Sequence, residues 1–340
     1  MWPRILSLLP TLLLPLCAAE AAPLFDDDKV LDIELIGPVY SLIKPAEKRE
    51  EMPFVLRANG AEHEVMVRLR GKSRLRVCKF PPLRLRFNSE DPDPGLFAGQ
   101  DKLRLVTHCR NNDKGEINAL EEYAAYRIFS LLSDYAYRVR LLRIRYTDTD
   151  QKLSEKAALR YGFVIEPMEQ LAQREGGEML HAQSLSASRY NRQQAALVFV
   201  FQYLIGNTDW SFVLAENDDA CCHNGDLLEI DRSIYYIPYD FDLAGIVNAK
   251  YAKPDPGLRM KNVRQRRYRG YCIDTESLRT ALQYVKSQQA SVLAVADDLP
   301  GLGDAERETM KKYLAQFFEK AEDEDKMLQM FEKGCLGKKA

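Results

Sequence analysis

The sequence predicts an α+β protein in which a sheet-rich part, 22–166, is followed by a helical part, 167–340. Three observations predict it. Apolar residues alternate with arginines in several short runs before residue 149, as in strands with one buried face. One run, "QQAALVFVFQYLIG" from Gln193 to Gly206, is apolar on nearly every side and too long for a strand. After Thr275 apolar residues recur at helical spacing in otherwise charged segments. A chain of 340 residues has room for one large domain or two lobes with separate cores.

The elements follow in order. "EVMVRLRG" sets Val65, Val67 and Leu69 against Met66, Arg68 and Arg70. "LRLRF" sets Leu83, Leu85 and Phe87 against Arg84 and Arg86, and "KLRLVTHC" sets Leu103 and Leu105 against Arg104. Pro92, Pro94 and Gly95 mark the loop between the last two. In "ALEEYAAYRIFSLLS" Leu120, Tyr123, Ala124, Ile128, Leu131 and Leu132 form one helical stripe. "YRVRLLRIRYTD" is a strand whose alternation changes phase at Leu141 and Leu142, which predicts a bulge. Phe163 to Ile165 is a further strand, ending at Glu166 and Pro167. The core helix stops at Gly206. "DLLEI" and "SIYYIPYDF" read as a short strand pair. Two or three amphipathic helices close the chain, near Thr275 to Gln288, Ala290 to Leu299 and Asp304 to Phe331.

Residues 1–21 read as a Sec-type signal peptide: Arg4, an apolar run from Ile5 to Cys17, then "AAEAA", with cleavage after Ala19 or Ala21. The run is short for a membrane span and holds Pro10 and Pro15; Leu16 before Cys17 argues against a lipoprotein box. No later stretch reads as a membrane span. The mature protein is therefore expected to be secreted or periplasmic. Six cysteines remain, and export permits disulfides. Cys78 and Cys109 lie beside strand-like runs that a bridge would join, and one of Cys221 and Cys222 is placed to reach Cys272. Free buried thiols are the alternative. A net charge of −2 gives no sign of nucleic acid.

Two acidic loops are the candidate chemistry. Asp209, in "GNTDWS", follows the core helix, where a rigid element would position a base or ligand; a functionless Asn/Asp turn uses the same residues. Asp240 and Asp242 flank Phe241 after an apolar strand, and Mg²⁺ is commonly held by one or two carboxylates plus substrate phosphates. A solvated turn is the competing reading. His223 and Asn224 open the strand pair, and the Asn224 carbonyl is a candidate metal ligand. Glu122 on the helix and Lys102 on a strand form a candidate phosphate clamp, although an exposed helix glutamate is commoner. Arg68, Arg70, Arg84, Arg86 and Arg104 share polar strand faces that suit phosphates, an acidic partner, or solvent. "RGKSR" from Arg70 lacks Walker spacing, and "RMKNVRQRRYRGY" from Arg259 to Tyr271 is either an acidic-partner dock or a solvated loop. Four histidines without metal spacing, and no Gly-x-Ser-x-Gly, leave zinc and serine-hydrolase chemistry unsupported.

From Arg68 to Ala252 the order of "RGKSR…FPPLRLRF", "KLRLVTHCRNND", "EEYAAYRIFSLL", "YRVRLLRIRY", "GFVIEPMEQL", "FQYLIGNTDW" and "IPYDFDLAG" resembles the CotH (spore coat protein H) kinase family, an atypical branch of the protein-kinase-like fold. The resemblance implies a two-lobed fold with a sheet-rich N-lobe and a helical C-lobe. It implies ATP with Mg²⁺ or Mn²⁺, and phosphoryl transfer to a hydroxyl of an exported protein. Asp209 would be the catalytic aspartate, and Asp240 with Asp242 the metal-binding pair, Tyr239 standing where the family has Trp. Kinases place a metal-binding Asn five residues past the catalytic Asp, where this chain has Leu214. An inserted loop, "FVLAENDDACC", would let His223-Asn224 resume the motif, with Asn217 as the fallback. Lys102 is the first choice for the nucleotide-gripping lysine, with Lys79, Arg70 and Arg84 behind it, and Glu166 would sit at the hinge. A non-catalytic surface-assembly protein on the same fold and a metal-dependent phosphate-ester hydrolase are the alternatives.

Overall fold

The structure, a computed structural model, describes residues 23–44, 49–88, 90, 95–183, 185–213 and 221–337. The leader expected over 1–21, and Pro92, Pro94, Leu214 and Asn217, lie outside the described residues.

Strands β1 (Leu31–Gly37), β2 (Met52–Ala58), β3 (Ala61–Leu69), β4 (Leu83–Phe87), β5 (Lys102–Val106), β6 (Val139–Asp148) and β7 (Leu159–Ile165) close into one barrel, ordered β1-β2-β3-β4-β5-β7-β6. The ring closes where β6 runs parallel to β1, with Leu31 opposite Leu142; the other neighbours are antiparallel. Every strand sends its alternate apolar residues inward, among them Ile33, Leu56, Val67, Leu85, Leu103, Ile144 and Val164. Alternation fixes which face is buried but is the same for an open sheet and a barrel, so closure was not legible. Closing the sheet removes its unpaired edges.

The bulge expected at Leu141 and Leu142 is absent. β6 pairs continuously with β7 from Val139↔Ile165 to Arg145↔Leu159. The strand has two apolar faces at this point: Leu142 and Ile144 fill the barrel, while Val139 and Leu141 pack outward into a second core. Burial on both sides, not a slip of register, breaks the alternation.

That second core is built on helices. Five helices interrupt the strands or follow them: α1 (Val39–Ile43), α2 (Arg74–Val77), α3 (Asp113–Leu132), α4 (Glu155–Ala158) and α5 (Met168–Arg174). α3 begins earlier than its apolar stripe, because Asn112 caps it by accepting from Gly115 N–H at 2.9 Å. Its Leu120, Tyr123, Ala124 and Ile128 pack with Val106, Phe163 and Ile165 of the outer barrel wall and with helix α6 (Arg192–Ile205). α6 is the central helix, with 11 of its 14 residues buried. A three-stranded antiparallel sheet, β8 (Glu178–Met179), β9 (Gly225–Ile230) and β10 (Ser233–Pro238), covers one flank in the order β10-β9-β8. The tail holds α7 (Thr275–Ser287), α8 (Gln289–Ala294), α9 (Asp304–Ala321) and α10 (Glu324–Gly334). The single helix expected from Asp304 to Phe331 is thus two: Asp323 accepts from Lys326 N–H and caps a new start. Among the described residues no helix is long and apolar enough to cross a membrane.

Three cysteine pairs lie at disulfide distance, Cys78–Cys109, Cys221–Cys222 and Cys272–Cys335, which fits an oxidising compartment. The first joins the segments expected. The expected link from Cys221 or Cys222 to Cys272 is not formed. The C-terminus returns beside Tyr271 instead, with Cys272 N–H donating to Leu336 at 2.9 Å, and Cys335 takes the place. Because this bridge closes a loop of 63 positions, the double variant Cys272→Ser/Cys335→Ser should lose about 2–4 kcal/mol of stability. Urea denaturation of the oxidised protein and the variant measures it; equal midpoints would contradict the bridge.

Candidate functional site

Helix α6 ends at Gly206, whose left-handed backbone (φ 68°) turns the chain sharply, and Asn207 N–H donates back to Gln202 at 2.8 Å. Asn207 Oδ1 then accepts from Asp209 N–H at 2.9 Å, and buried Trp210 donates its indole N–H to the Asn207 carbonyl. Trp210 stacks on Phe199 of α6, so the loop carrying Asp209 is pinned to the core helix. Arg269 holds the next carbonyl, Thr208, at 2.6 Å.

The second loop is placed by a hairpin. Gly225 of β9 pairs with Pro238 of β10, so the antiparallel register sets Asn224 beside Tyr239, and Tyr239 N–H donates to the Asn224 carbonyl at 3.0 Å. Ser211 N–H donates to the His223 carbonyl at 3.1 Å, which docks the Asp209 loop on the same hairpin end. Asp209 and Asp240 therefore meet at one end of β9 and β10. The side chains complete the link. His223 Nε2 lies 3.0 Å from Asp209 Oδ1, and Asn224 Nδ2 donates to Asp209 Oδ2 at 2.9 Å and to its backbone oxygen at 2.6 Å.

Phe241 is fully buried, edge-on to Tyr126 of α3 and Phe201 of α6. This anchor forces the flanking carboxylates to different depths: Asp240 is 41% exposed and Asp242 only 7%. Asp240 takes a left-handed backbone (φ 60°), and its N–H donates to the Tyr126 hydroxyl at 2.9 Å.

Both aspartates meet one residue that sequence reasoning missed. Arg74, 6% exposed, places Nη2 2.8 Å from Glu122 and 2.6 Å from Asp240, and Nε 2.9 Å from Asp242. It stands on α2, in the "RGKSR" segment whose spacing excluded a P-loop. A one-turn helix shows no periodicity, so the only available signal was its position between Gly71 and Cys78, whose disulfide ties it near the start of α3.

Lys102 does not pair with Glu122, which is a correction. It stands at the outer start of β5, exposed, with its ammonium 3.0 Å from Asp101. Lys79 is exposed as well. Arg70 is within electrostatic reach of Asp240: burial and the neighbouring Arg104 push its pKa down to about 10, with Asp240 opposing them. Glu166 is buried at the junction of the two cores, but its carboxylate is taken by Arg174 and by Arg138 N–H, leaving a brace rather than a ligand group. In the basic run after Arg259, Arg264, Arg266 and Arg269 bind the carbonyls of Gly245, Leu204 and Thr208, so half of its charge buckles the loops in place.

No protein-family model matches the chain, and no curated protein matches it. Among solved structures it is similar to the crystal structure of a Helicobacter pylori proinflammatory kinase, CtkA, at 10% identity and a TM-score of 0.36, over 84% of this chain and 95% of that one. The functional argument rests on the residues of the site.

Burial shapes their electrostatics. Burial pushes Glu122 up to about 8 against the pull of Arg74, and Asp242 up to about 6, each helped by the other carboxylates. Burial also works on Asp240, but Arg74 and Arg70 outweigh it and hold it below the usual range. Near neutral pH Glu122 keeps its proton, so Asp240 and Asp242 face Arg74 and Arg70 with their charges roughly matched, and carboxylate oxygens of this kind are the hard donors that suit Mg²⁺ or Mn²⁺. Among the described residues no three His, Cys, Asp or Glu form a complete metal cage, so a cation here needs oxygens from its ligand. Folded Glu122 and Asp242 retain protons that the unfolded chain has released, so stability should fall as pH rises from about 4.5 to about 8. Thermal melts across that range in EDTA check the sign; a melting point that rises throughout would contradict it.

Proposed function

We propose that the protein is an exported, kinase-like phosphotransferase that moves the γ-phosphoryl group of ATP to a hydroxyl of an exported protein. The observation that carries this reading is the meeting of Asp209 and Asp240 at one end of the β9–β10 hairpin. Asp209, held by His223 and Asn224, would accept the hydroxyl proton as the oxygen attacks the γ-phosphorus and the bond to the β-phosphate oxygen breaks, releasing ADP. Asp240, Asp242 and the side-chain oxygen of Asn224 are the residues that would hold Mg²⁺ or Mn²⁺. The cation, when bound, would neutralise charge on the phosphates. Arg70 supplies further positive charge, and Arg74 with Glu122 locks the barrel to the Asp240 loop. Such a site works by positioning and electrostatics. Export is part of the proposal and is supported by the three cysteine pairs.

Metal-dependent nucleotide binding should be measurable by calorimetry and should weaken about 10- to 100-fold in Asp240→Asn, which loses one charged ligand. No nucleotide binding with any divalent metal would refute the reading. A non-catalytic assembly role on the same fold has one observation in its favour: Arg74 spans both Asp240 and Asp242, so an incoming cation competes with it. Partner capture that survives Asp240→Asn, without label transfer from γ-labelled ATP, would select that role. Release of free phosphate alone would select a hydrolase.

A further inference from the structure

We infer that the outer face of β3, β4 and β5 is a second anion site, so that the ligand of the cleft places a phosphate group beneath it, away from Asp240. This deepens the phosphotransferase reading and rests on it only for the identity of the ligand. In the barrel register Arg68 stands opposite Arg84, and Arg84 opposite Arg104. With strands about 4.8 Å apart, the three side chains form a row about 10 Å long. Like charges placed directly opposite one another repel, and nothing in barrel formation requires them here, since the inward residues Leu69, Leu83 and Leu105 supply the packing.

Arg104, at one end of the row, faces the second core. Arg104 stacks on Tyr137 and Tyr239, at 4.5 and 5.3 Å from the ring centroids, and donates to the Glu166 carbonyl at 3.3 Å. Tyr239 is the residue before Asp240, so the row and the acidic loop border the same cleft. Carboxylates pair with the two ends of the row, Arg68 and Arg104, and leave its middle, Arg84, without an ion pair among the described residues. Glu51 is engaged by Arg86 at 2.6 Å and stands 3.9 Å from Arg68, and Asp226 stands 3.8 Å from Arg104 and accepts from the Tyr137 hydroxyl. Glu169 touches Arg84 only at a distance, through its charge. Burial, then Arg68 and Arg104, push the Arg84 pKa down, and its enclosed Nε has no hydrogen-bond partner among the described residues. A guanidinium held between two others with an unused N–H is matched by a phosphate, which accepts several such bonds at once. An uncharged base needs an apolar slot, and three cations do not provide one.

Titration calorimetry of the full chain in EDTA, with sodium tripolyphosphate as the probe and ATP and adenosine in parallel, tests the site. Tripolyphosphate should bind without metal and ATP should follow it, whereas adenosine should not. In Arg68→Gln/Arg84→Gln the tripolyphosphate affinity should fall about 10- to 100-fold, the range expected for charged hydrogen bonds. The single variant Arg84→Gln should weaken binding while melting no lower than the wild type, because it relieves repulsion, so the loss is not one of folding. Tripolyphosphate that fails to bind, or binds equally well to the double variant, overturns the inference. The two readings separate in the same experiments: metal-free binding lost in the double variant, without label transfer from γ-labelled ATP, keeps this site and removes the kinase, and the reverse pattern keeps the kinase and removes the site.

Discussion

Arg74→Met should destabilise the protein by about 3–5 kcal/mol, the cost of leaving buried charges without their partner. Methionine keeps much of the volume, so the loss reports charge rather than a cavity. Among the described residues Arg74 is the one cation in contact with Glu122, Asp240 and Asp242 together. Without it three carboxylates crowd a site where burial already pushes Glu122 up to about 8. The deficit should therefore be larger at pH 8 than at pH 5, where protons replace the missing charge. Arg74→Lys should recover little, because an ammonium lacks the planar fork that reaches three partners. Urea midpoints at the two pH values measure this. Wild-type stability in Arg74→Met at pH 8 would remove Arg74 from the centre of the site.

Asp209→Asn should lower phosphoryl transfer about 10²- to 10⁴-fold, the usual contribution of a general base. Asparagine still accepts from Asn224 and keeps the loop shape, so the melting point and metal-dependent nucleotide binding should hold. Single-turnover transfer from γ-labelled ATP, set beside calorimetric nucleotide affinity, separates the two effects. Transfer at the wild-type rate would exclude Asp209 as the base. Transfer and binding lost together would assign it to ligand binding instead.

Both variants probe a site of which the sequence revealed only half. Asp209, Asp240, Asp242 and Asn224 stand out as polar residues at the ends of apolar elements, a local pattern. Arg74 and Lys102 show the limit of such patterns. Both are cations near strands, and only the fold of α2 over the Asp240 loop selects the one that meets Glu122. The resemblance set Glu166 at a hinge, but neither its burial nor its capture by Arg174 was legible.

The amino-acid sequence by itself determined the faces of the strands, the central helix and its stop at Gly206, because these depend on neighbours within a few positions. Tertiary structure decided the closure of the barrel, the partner of Cys272, the cation at the carboxylates and the meeting of the two acidic loops. These depend on residues far apart in the chain. Hairpin register and burial bring them together, and no local periodicity encodes that.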